Sequence, residues 1–282
     1  MIDILLSTYN SEKYLMQQIQ SFFNQTYSDW RLIIRDDGST DQTVEILEEL
    51  ANKYKDKIIF HKANNIGTIK SFEWLLTASD AEYIMFSDHD DVWLETKIED
   101  TLLKMKELEV LSSEKPLLVF TNLRVVNENL ELVNDSFWKY ARLNVNILSN
   151  FNYLGISNCV NACTIMINRK AKKLCLPFSD KTKMHDSWIA LNVCKYGVID
   201  YIDKPTILYR QHSENVFGAS KEEIKTTLGY LISKIKSFKK VVDGNKKQFE
   251  LLNELDYGTI YKFMFYKFSY FIQARILTFS HR

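Results

Sequence analysis

Asp88, Asp90 and Asp91 fall within four residues, directly after the apolar run Tyr83-Ile84-Met85-Phe86. The run reads as a buried strand, so the acids sit where that strand ends. Neighbouring carboxylates repel and raise one another's pKa, so such a cluster calls for positive charge. A hard divalent cation such as Mg²⁺ supplies it, taking carboxylate oxygens together with substrate phosphates. In an open α/β sheet the carboxyl ends of the strands are also where ligands bind. A solvated loop with Asp91 as the N-cap of the next helix accounts for the same acids, and the cluster alone does not choose.

The elements around it sharpen the choice. Ile2 to Leu6 reads as a strand ending in Ser7-Thr8-Tyr9-Asn10-Ser11, and Trp30 to Ile34 as one ending in Asp36-Asp37-Gly38-Ser39-Thr40-Asp41. Ile58 to Phe60 leads into Asn64-Asn65-Ile66-Gly67. Between the strands, Leu15, Ile19, Phe22 and Phe23, then Val44, Ile46, Leu47 and Leu50, then Phe72, Trp74, Leu75 and Leu76 recur at helical spacing. This alternation predicts an α/β fold with a parallel sheet wrapped by helices. Thr8, Tyr9, Asp36 and the acids from Asp88 to Asp91 then share one rim. Helix capping explains any one of these turns well, and the combined pattern less well.

Further along, Leu117 to Thr121 reads as a strand and Val125 to Val133 as a strand-turn stretch, while Phe137 to Phe151 is aromatic and irregular. Asn161 to Ile167 reads as a strand, followed by a short basic helix from Arg169 to Leu174. Asp186 starts a helix carrying Trp188, Ile189, Leu191 and Val193, with Gly197 as its stop. By position Asp186 is an N-cap. Val198 to Ile202 and Thr206 to Tyr209 read as paired strands around Asp203-Lys204-Pro205. Ile224 to Phe238 and Thr259 to Leu277 read as helices, the second crowded with aromatics and interrupted by Lys267 and Arg275.

Composition narrows the function classes. With 36 basic and 36 acidic residues the chain carries no global charge that would favour nucleic acid. Residues 221–282 nonetheless hold twelve Lys or Arg against six Asp or Glu, so the surplus of positive charge is C-terminal. Only 8 Gly and 3 Pro in 282 residues argue against long disordered linkers. Cys159, Cys163, Cys175 and Cys194 lack paired zinc spacing and are expected to be reduced and buried, as in a cytosolic protein. The N-terminus begins on a strand pattern and no run of about 20 apolar residues occurs, so neither a signal peptide nor a membrane span is expected.

Taken in order, Ser7-Thr8-Tyr9-Asn10, Arg35-Asp36-Asp37-Gly38-Ser39-Thr40-Asp41, Asn64-Asn65-Ile66-Gly67 and Ser87-Asp88-His89-Asp90-Asp91-Val92-Trp93 resemble the motifs of family 2 glycosyltransferases. These are nucleotide-sugar enzymes of the GT-A fold. The resemblance implies a mostly parallel GT-A sheet flanked by helices over residues 1–218, with a C-terminal helical appendage over 219–282. It implies that Asp90, with Asp88 and Asp91 nearby, holds Mn²⁺ or Mg²⁺. Thr8, Tyr9, Asp36, Asp37, Asn65 and Asp88 are then expected at the nucleotide. The Tyr9 ring can stack on the base and Asp36 can accept from a pyrimidine N–H, while Asp37 serves equally well as a cap for the next helix. The family carries its catalytic base at the start of the helix containing Asp186, usually as an acid pair. Here the pair is His185-Asp186, so the role passes to Asp186 alone. Tyr209-Arg210-Gln211-His212, with Asn215 three residues on, is similar to a segment of rhamnosyltransferase-like members. It implies His212 at the metal or diphosphate, with Arg210 as a diphosphate partner, and a histidine ligand leans toward Mn²⁺.

The implied reaction moves one sugar, with inversion, from dTDP-rhamnose or a UDP-hexose to a glycan or lipid-linked acceptor in bacterial surface polysaccharide synthesis. His89 stands where the rhamnosyl subgroup carries Gln, which keeps the UDP-hexoses open. A sugar nucleotidyltransferase would need a Gly- and Lys/Arg-rich loop after the first strand, and Ser7 to Ser11 is neither. A non-catalytic binding module is disfavoured by intact Asp88, Asp90 and Asp186. The aromatic stretch 257–282 has three readings: packing on the catalytic domain, on a second copy, or peripherally at the inner face of the plasma membrane.

Overall fold

Strands and helices alternate through the first half of the computed structural model, which describes residues 1–212 and 244–279. The order is β1 (Ile2–Thr8), α1 (Leu15–Phe23), β2 (Trp30–Asp36), α2 (Thr43–Lys53), β3 (Ile58–Lys62), α3 (Thr68–Ala78) and β4 (Tyr83–Ser87). Then come β5 (Val92–Trp93), α4 (Lys97–Ser112), β6 (Leu117–Val126), β7 (Leu132–Asn134), the single-turn helices α5 (Phe137–Tyr140), α6 (Val145–Leu148) and α7 (Phe151–Leu154), and β8 (Met166–Asn168). The chain continues with α8 (Arg169–Cys175), α9 (His185–Tyr196), β9 (Val198–Arg210), α10 over 244–253 and α11 (Ile260–Phe279).

All nine strands form one sheet in the order β3-β2-β1-β4-β8-β6-β9-β5, with β7 on β6. β3, β2, β1, β4, β6 and β9 share one direction, and β8, β5 and β7 oppose it. Both faces are covered. Leu5, Ile33, Ile84 and Phe86 point to the side of α3 and α9, while Ile4, Leu6, Leu32, Ile34 and Met85 point to the side of α1 and α4. This is why the strands read as unbroken apolar runs: alternate residues fill opposite cores. The register sets Thr8 beside Asp36 and Leu6 beside Ser87, so the loops after β1, β2 and β4 leave the sheet at one level.

Several expected elements differ. The two strands foreseen at Val198 to Ile202 and Thr206 to Tyr209 are one continuous β9 lying parallel to β6, not a hairpin. Pro205 is tolerated because the register shifts there, and Asn122 Nδ2 donates to Asp203 Oδ1 across the irregularity (3.1 Å). Likewise β6 runs unbroken through Val126. The stretch from Asn161 contains a 3₁₀ turn, Ala162–Thr164, before β8 begins. Asp91 caps no helix: α4 starts after Thr96, with β5 in between.

The expected helix from Ile224 to Phe238, and the 218/219 boundary, lie outside the described residues. The described part of the appendage joins the core of the sheet: Leu251, Leu252, Leu255, Tyr257 and Phe263 belong to the same apolar cluster as Phe72 and Ile84. No described helix is long and apolar enough to cross a membrane.

Candidate active site

A cavity of about 1370 Å³ opens where the loops after β1, β2 and β4 meet the start of α9 and the end of β9. Thr8, Tyr9, Asp37, Asp88, Asp90, Asp186 and His212 all line it, although they come from separate segments spanning most of the described chain. Asp36, Asn65, Asp91 and Arg210 do not line it; Asp36, Asp91 and Arg210 are buried, whereas Asn65 is exposed.

The end of the cavity beside β1 and β2 is built by carboxylates that tie loops together. Asp36 is fully buried and accepts from the Thr8 hydroxyl (3.0 Å), the Gly38 and Ser39 amides (3.1 and 2.9 Å) and the Ser39 hydroxyl (2.5 Å). Its oxygens are thus committed to shaping the turn after β2, not presented to the cavity. Gly38 holds φ +85° in that turn, a conformation open to glycine. Asp37 pairs with Arg35 and accepts from the Ile66 and Gly67 amides, both at 2.9 Å. It therefore secures the entrance to α3, and the expectation that it caps α2 gives way, since α2 begins at Thr43 beside Gln42. Asn65 is exposed and accepts from the Gly67 amide (3.2 Å), a local turn contact. Tyr9 is half exposed at the cavity edge, its ring open to stacking.

The acidic centre follows β4. Asp90 Oδ2 lies 2.9 Å from His212 Nε2, joining the strand ends of β4 and β9. Arg210, 1% exposed, donates from Nε to the Asp90 carbonyl (2.7 Å), from NH1 to the Glu128 carbonyl and from NH2 to Gln17 Oε1 (2.7 Å), with its guanidinium over the Tyr14 ring. Arg210 thus anchors the Asp90 loop from behind and does not line the cavity where a diphosphate partner was expected. Asp88 is pushed up to about 7, first by burial and then by Asp90 and Asp186. Asp91, 0% exposed, is raised first by burial and then by Asp90 and Asp88; Oδ1 accepts from the Arg210 amide (3.2 Å) and Oδ2 has no partner. Asp88, Asp91 and Cys163 bring potential ligand atoms within 4.8 Å of one another.

Asp186 lines the same cavity from the first turn of α9. It is not the N-cap: that position is Met184, and the Asp186 carboxylate accepts from the Ser187 amide. Burial raises it to about 7, tempered by that hydrogen bond. A carboxyl with this proton affinity is matched to taking a proton near neutral pH.

Residues 3–171 match the family model for glycosyl transferase family 2, more than half of the chain. The chain is a family 2 glycosyltransferase. This glycosyltransferase is similar to the dTDP-rhamnosyl transferase RfbG of Shigella flexneri, 30% identical over 76% of the chain and 74% of that protein. It is also similar to WfaP of Escherichia coli, a UDP-Glc:α-D-GlcNAc-diphosphoundecaprenol β-1,3-glucosyltransferase, 27% identical over 70% of the chain and 72% of that protein. Its fold resembles that of Staphylococcus aureus TarS 1–349 solved with UDP-GlcNAc, at a TM-score of 0.55 and 20% identity, over 78% of the chain and 61% of TarS 1–349. The fold is therefore GT-A.

Sequence reasoning missed several parts of the glycosyltransferase site. Cys163 reaches the acids from the 3₁₀ turn before β8, and no local pattern ties it to Asp88. Lys97, 0% exposed, lies behind them over the Trp93 ring, lowered to about 7 by burial. Phe72 and His185 form the wall beside Asp186. Phe72 was legible only as a core residue of α3.

Proposed function

We propose that this glycosyltransferase moves one sugar from a nucleoside-diphosphate sugar to an acceptor hydroxyl with inversion at the anomeric carbon. The observation carrying it is that one cavity is lined both by a carboxylate centre at Asp88 and Asp90 and by a proton-accepting carboxylate at Asp186.

The carboxylate centre fits a divalent cation. Asp88 is held near 7 by burial and neighbouring negative charge, and Asp91 keeps one buried oxygen without a partner, a strain that positive charge relieves. Asp88 and Asp90, with Asp91 and His212 beside them, would hold Mn²⁺ or Mg²⁺, oxygen donors suiting both and the imidazole favouring Mn²⁺. Bound there, the cation supplies Lewis acidity to the charge growing on the departing diphosphate. Arg210 fixes the loop that carries Asp90, and Tyr9 offers its ring to the base beside Thr8.

Asp186 takes the proton from the acceptor hydroxyl as its oxygen bonds to the anomeric carbon. The bond to the diphosphate breaks on the opposite face, which inverts the centre. Proton transfer of this kind is typically worth about 10²–10⁴-fold. Similarity to RfbG and WfaP supports dTDP-rhamnose or a UDP-hexose as donor and a glycan or lipid-linked acceptor in surface polysaccharide synthesis. The exposed apolar residues of α11 support peripheral work at the inner face of the membrane, where a lipid-linked acceptor resides.

The test is a donor-hydrolysis screen of dTDP-rhamnose, UDP-glucose and UDP-galactose with and without Mn²⁺. Turnover of one of them only with metal is the expected result; turnover of none supports the non-catalytic binding module instead. Asp186→Asn is expected to keep nucleotide binding and lose transfer by at least about 10²-fold. If binding vanishes as well, Asp186 is a structural residue.

A further inference from the structure

His185 is the residue whose surroundings serve the fold least. It opens α9, is 2% exposed, and neither ring nitrogen has a hydrogen-bond partner. Its ring lies flat on Phe72, centroids 4.0 Å apart at 20°, with Phe86 behind at 5.7 Å. Such an apolar sandwich would be better filled by a third aromatic hydrocarbon. A buried polar group without partners destabilises a protein and calls for an explanation. The imidazole also lines the cavity beside Asp186.

We infer that His185 reads a hydroxyl group of the sugar being transferred, an inference that rests on the proposed function. If the diphosphate sits at Asp88 and Asp90 and the attacking hydroxyl at Asp186, the sugar must lie between them, against the wall formed by Phe72 and His185. Burial lowers the imidazole to about 3, so it stays neutral and keeps one N–H donor and one acceptor nitrogen. The two nitrogens face away from each other across the ring, so one of them meets a single sugar hydroxyl, as donor or as acceptor according to the tautomer. The stack on Phe72 fixes the ring plane, so only a sugar with a hydroxyl at the matching carbon pairs with the ring. A site built to hydrogen-bond a hydroxyl discriminates strongly against a substrate lacking it. His185 is thereby a specificity-determining residue and Asp186 the base.

The test compares wild type, His185→Phe and His185→Gln. Phenylalanine preserves the stack and removes both nitrogens; glutamine restores a donor and an acceptor. Titration with Mn²⁺ and either the free nucleotide (dTDP, UDP) or the sugar nucleotide (dTDP-rhamnose, UDP-glucose) isolates what the sugar adds to affinity. In His185→Phe the affinity for free nucleotide is expected to stay within about threefold, the sugar's added affinity to fall about tenfold or more, and the melting temperature to hold or rise. Where the wild type turns a donor over, kcat/KM for that donor should drop about 100-fold and recover partly in His185→Gln. A structural histidine would lower melting temperature and nucleotide affinity together, which overturns the inference. An unchanged sugar increment also overturns it, since the sugar then makes no hydrogen bond to the ring. Wild type that binds the sugar nucleotides through His185 yet never transfers would instead refute the proposed reaction.

Discussion

At the scale of single residues, charge burial is the dominant tension. Asp88 and Asp186 are both pushed up to about 7, so folding favours their protonated forms. A group whose folded pKa exceeds its unfolded value stabilises the fold below the unfolded pKa, here about 3.8, and that contribution is lost as pH rises through 7. Lys97, lowered to about 7, acts in the other window: its contribution is present above 10.5 and disappears as pH falls through 7. Without metal, then, these groups weaken the fold most near neutrality. Asp88→Asn removes one ionisable group and part of its neighbours' repulsion. In EDTA its melting temperature should exceed that of wild type at pH 7.5 and approach it at pH 4.5. A shift of this size is worth up to about 4 kcal/mol, and sharing of the repulsion with Asp90 and Asp186 brings the expected gain to about 2 kcal/mol. Added Mn²⁺ should lift wild type at pH 7.5 and leave Asp88→Asn nearly unmoved. Parallel melting curves for the two proteins across this range would refute the assignment of strain to Asp88.

At the scale of elements, the α9–β9 junction shows how closely the site's supports are fitted. A Cβ on Gly197 would lie 2.1 Å from the Pro116 carbonyl oxygen, the same oxygen that accepts from the Val198 amide (2.9 Å) and starts the β6–β9 register. Gly197→Ala must push β9 off β6, and a loss of about 3 kcal/mol or more is expected in denaturant midpoint. A midpoint within experimental error of wild type would show that the junction yields. This glycine was legible as the helix stop, as were β1 to β4, whose apolar runs end in polar turns, and the rim shared by Thr8, Tyr9, Asp88 and Asp90. What escaped has physical causes. Asp203-Lys204-Pro205 carries every mark of a turn, and only a register shift against β6 lets the strand continue through it. The helices α5 to α7 are single turns, too short to show a period. Asp36 and Arg210 have the chemistry of ligand contacts, yet their hydrogen-bonding capacity goes to Ser39, Gln17 and backbone groups that only the fold brings near. His185 stood out only as a departure from the acid pair of the family, with nothing local to show its nitrogens unpartnered.

At the scale of the whole molecule, α11 has two faces with different fates. One face joins the catalytic body: Phe263 is fully buried, Tyr266 packs edge-on to Tyr153 at 5.1 Å, and Gln273 Nε2 donates to the Tyr153 hydroxyl (2.9 Å). The other turns Tyr261, Met264, Phe265, Phe268 and Ile272 to solvent, from 41 to 83% exposed. At about 100° per residue these five fall within an arc of about 100°, a continuous apolar stripe. The stretch therefore does pack on its own domain, and that contact leaves a second surface unexplained. The adjoining α10 contributes Lys247, Gln248 and Leu251 to the cavity, so the stripe lies in the part of the chain that borders the active site. A stripe of aromatics beside lysines suits the headgroup boundary of an anionic bilayer. Replacing Phe265 and Phe268 by Ser should cut flotation with phosphatidylglycerol vesicles about tenfold or more, at about 1 kcal/mol or more for each ring withdrawn from the interface. Donor hydrolysis in solution should remain at the wild-type rate, because neither ring lines the cavity. If light scattering instead shows a dimer that the double variant splits, with vesicle binding unchanged, the stripe joins two copies. The two outcomes place the acceptor differently: a membrane-seated α11 brings the cavity to acceptors held in the bilayer, whereas a dimeric one leaves each cavity to meet its acceptor from solution.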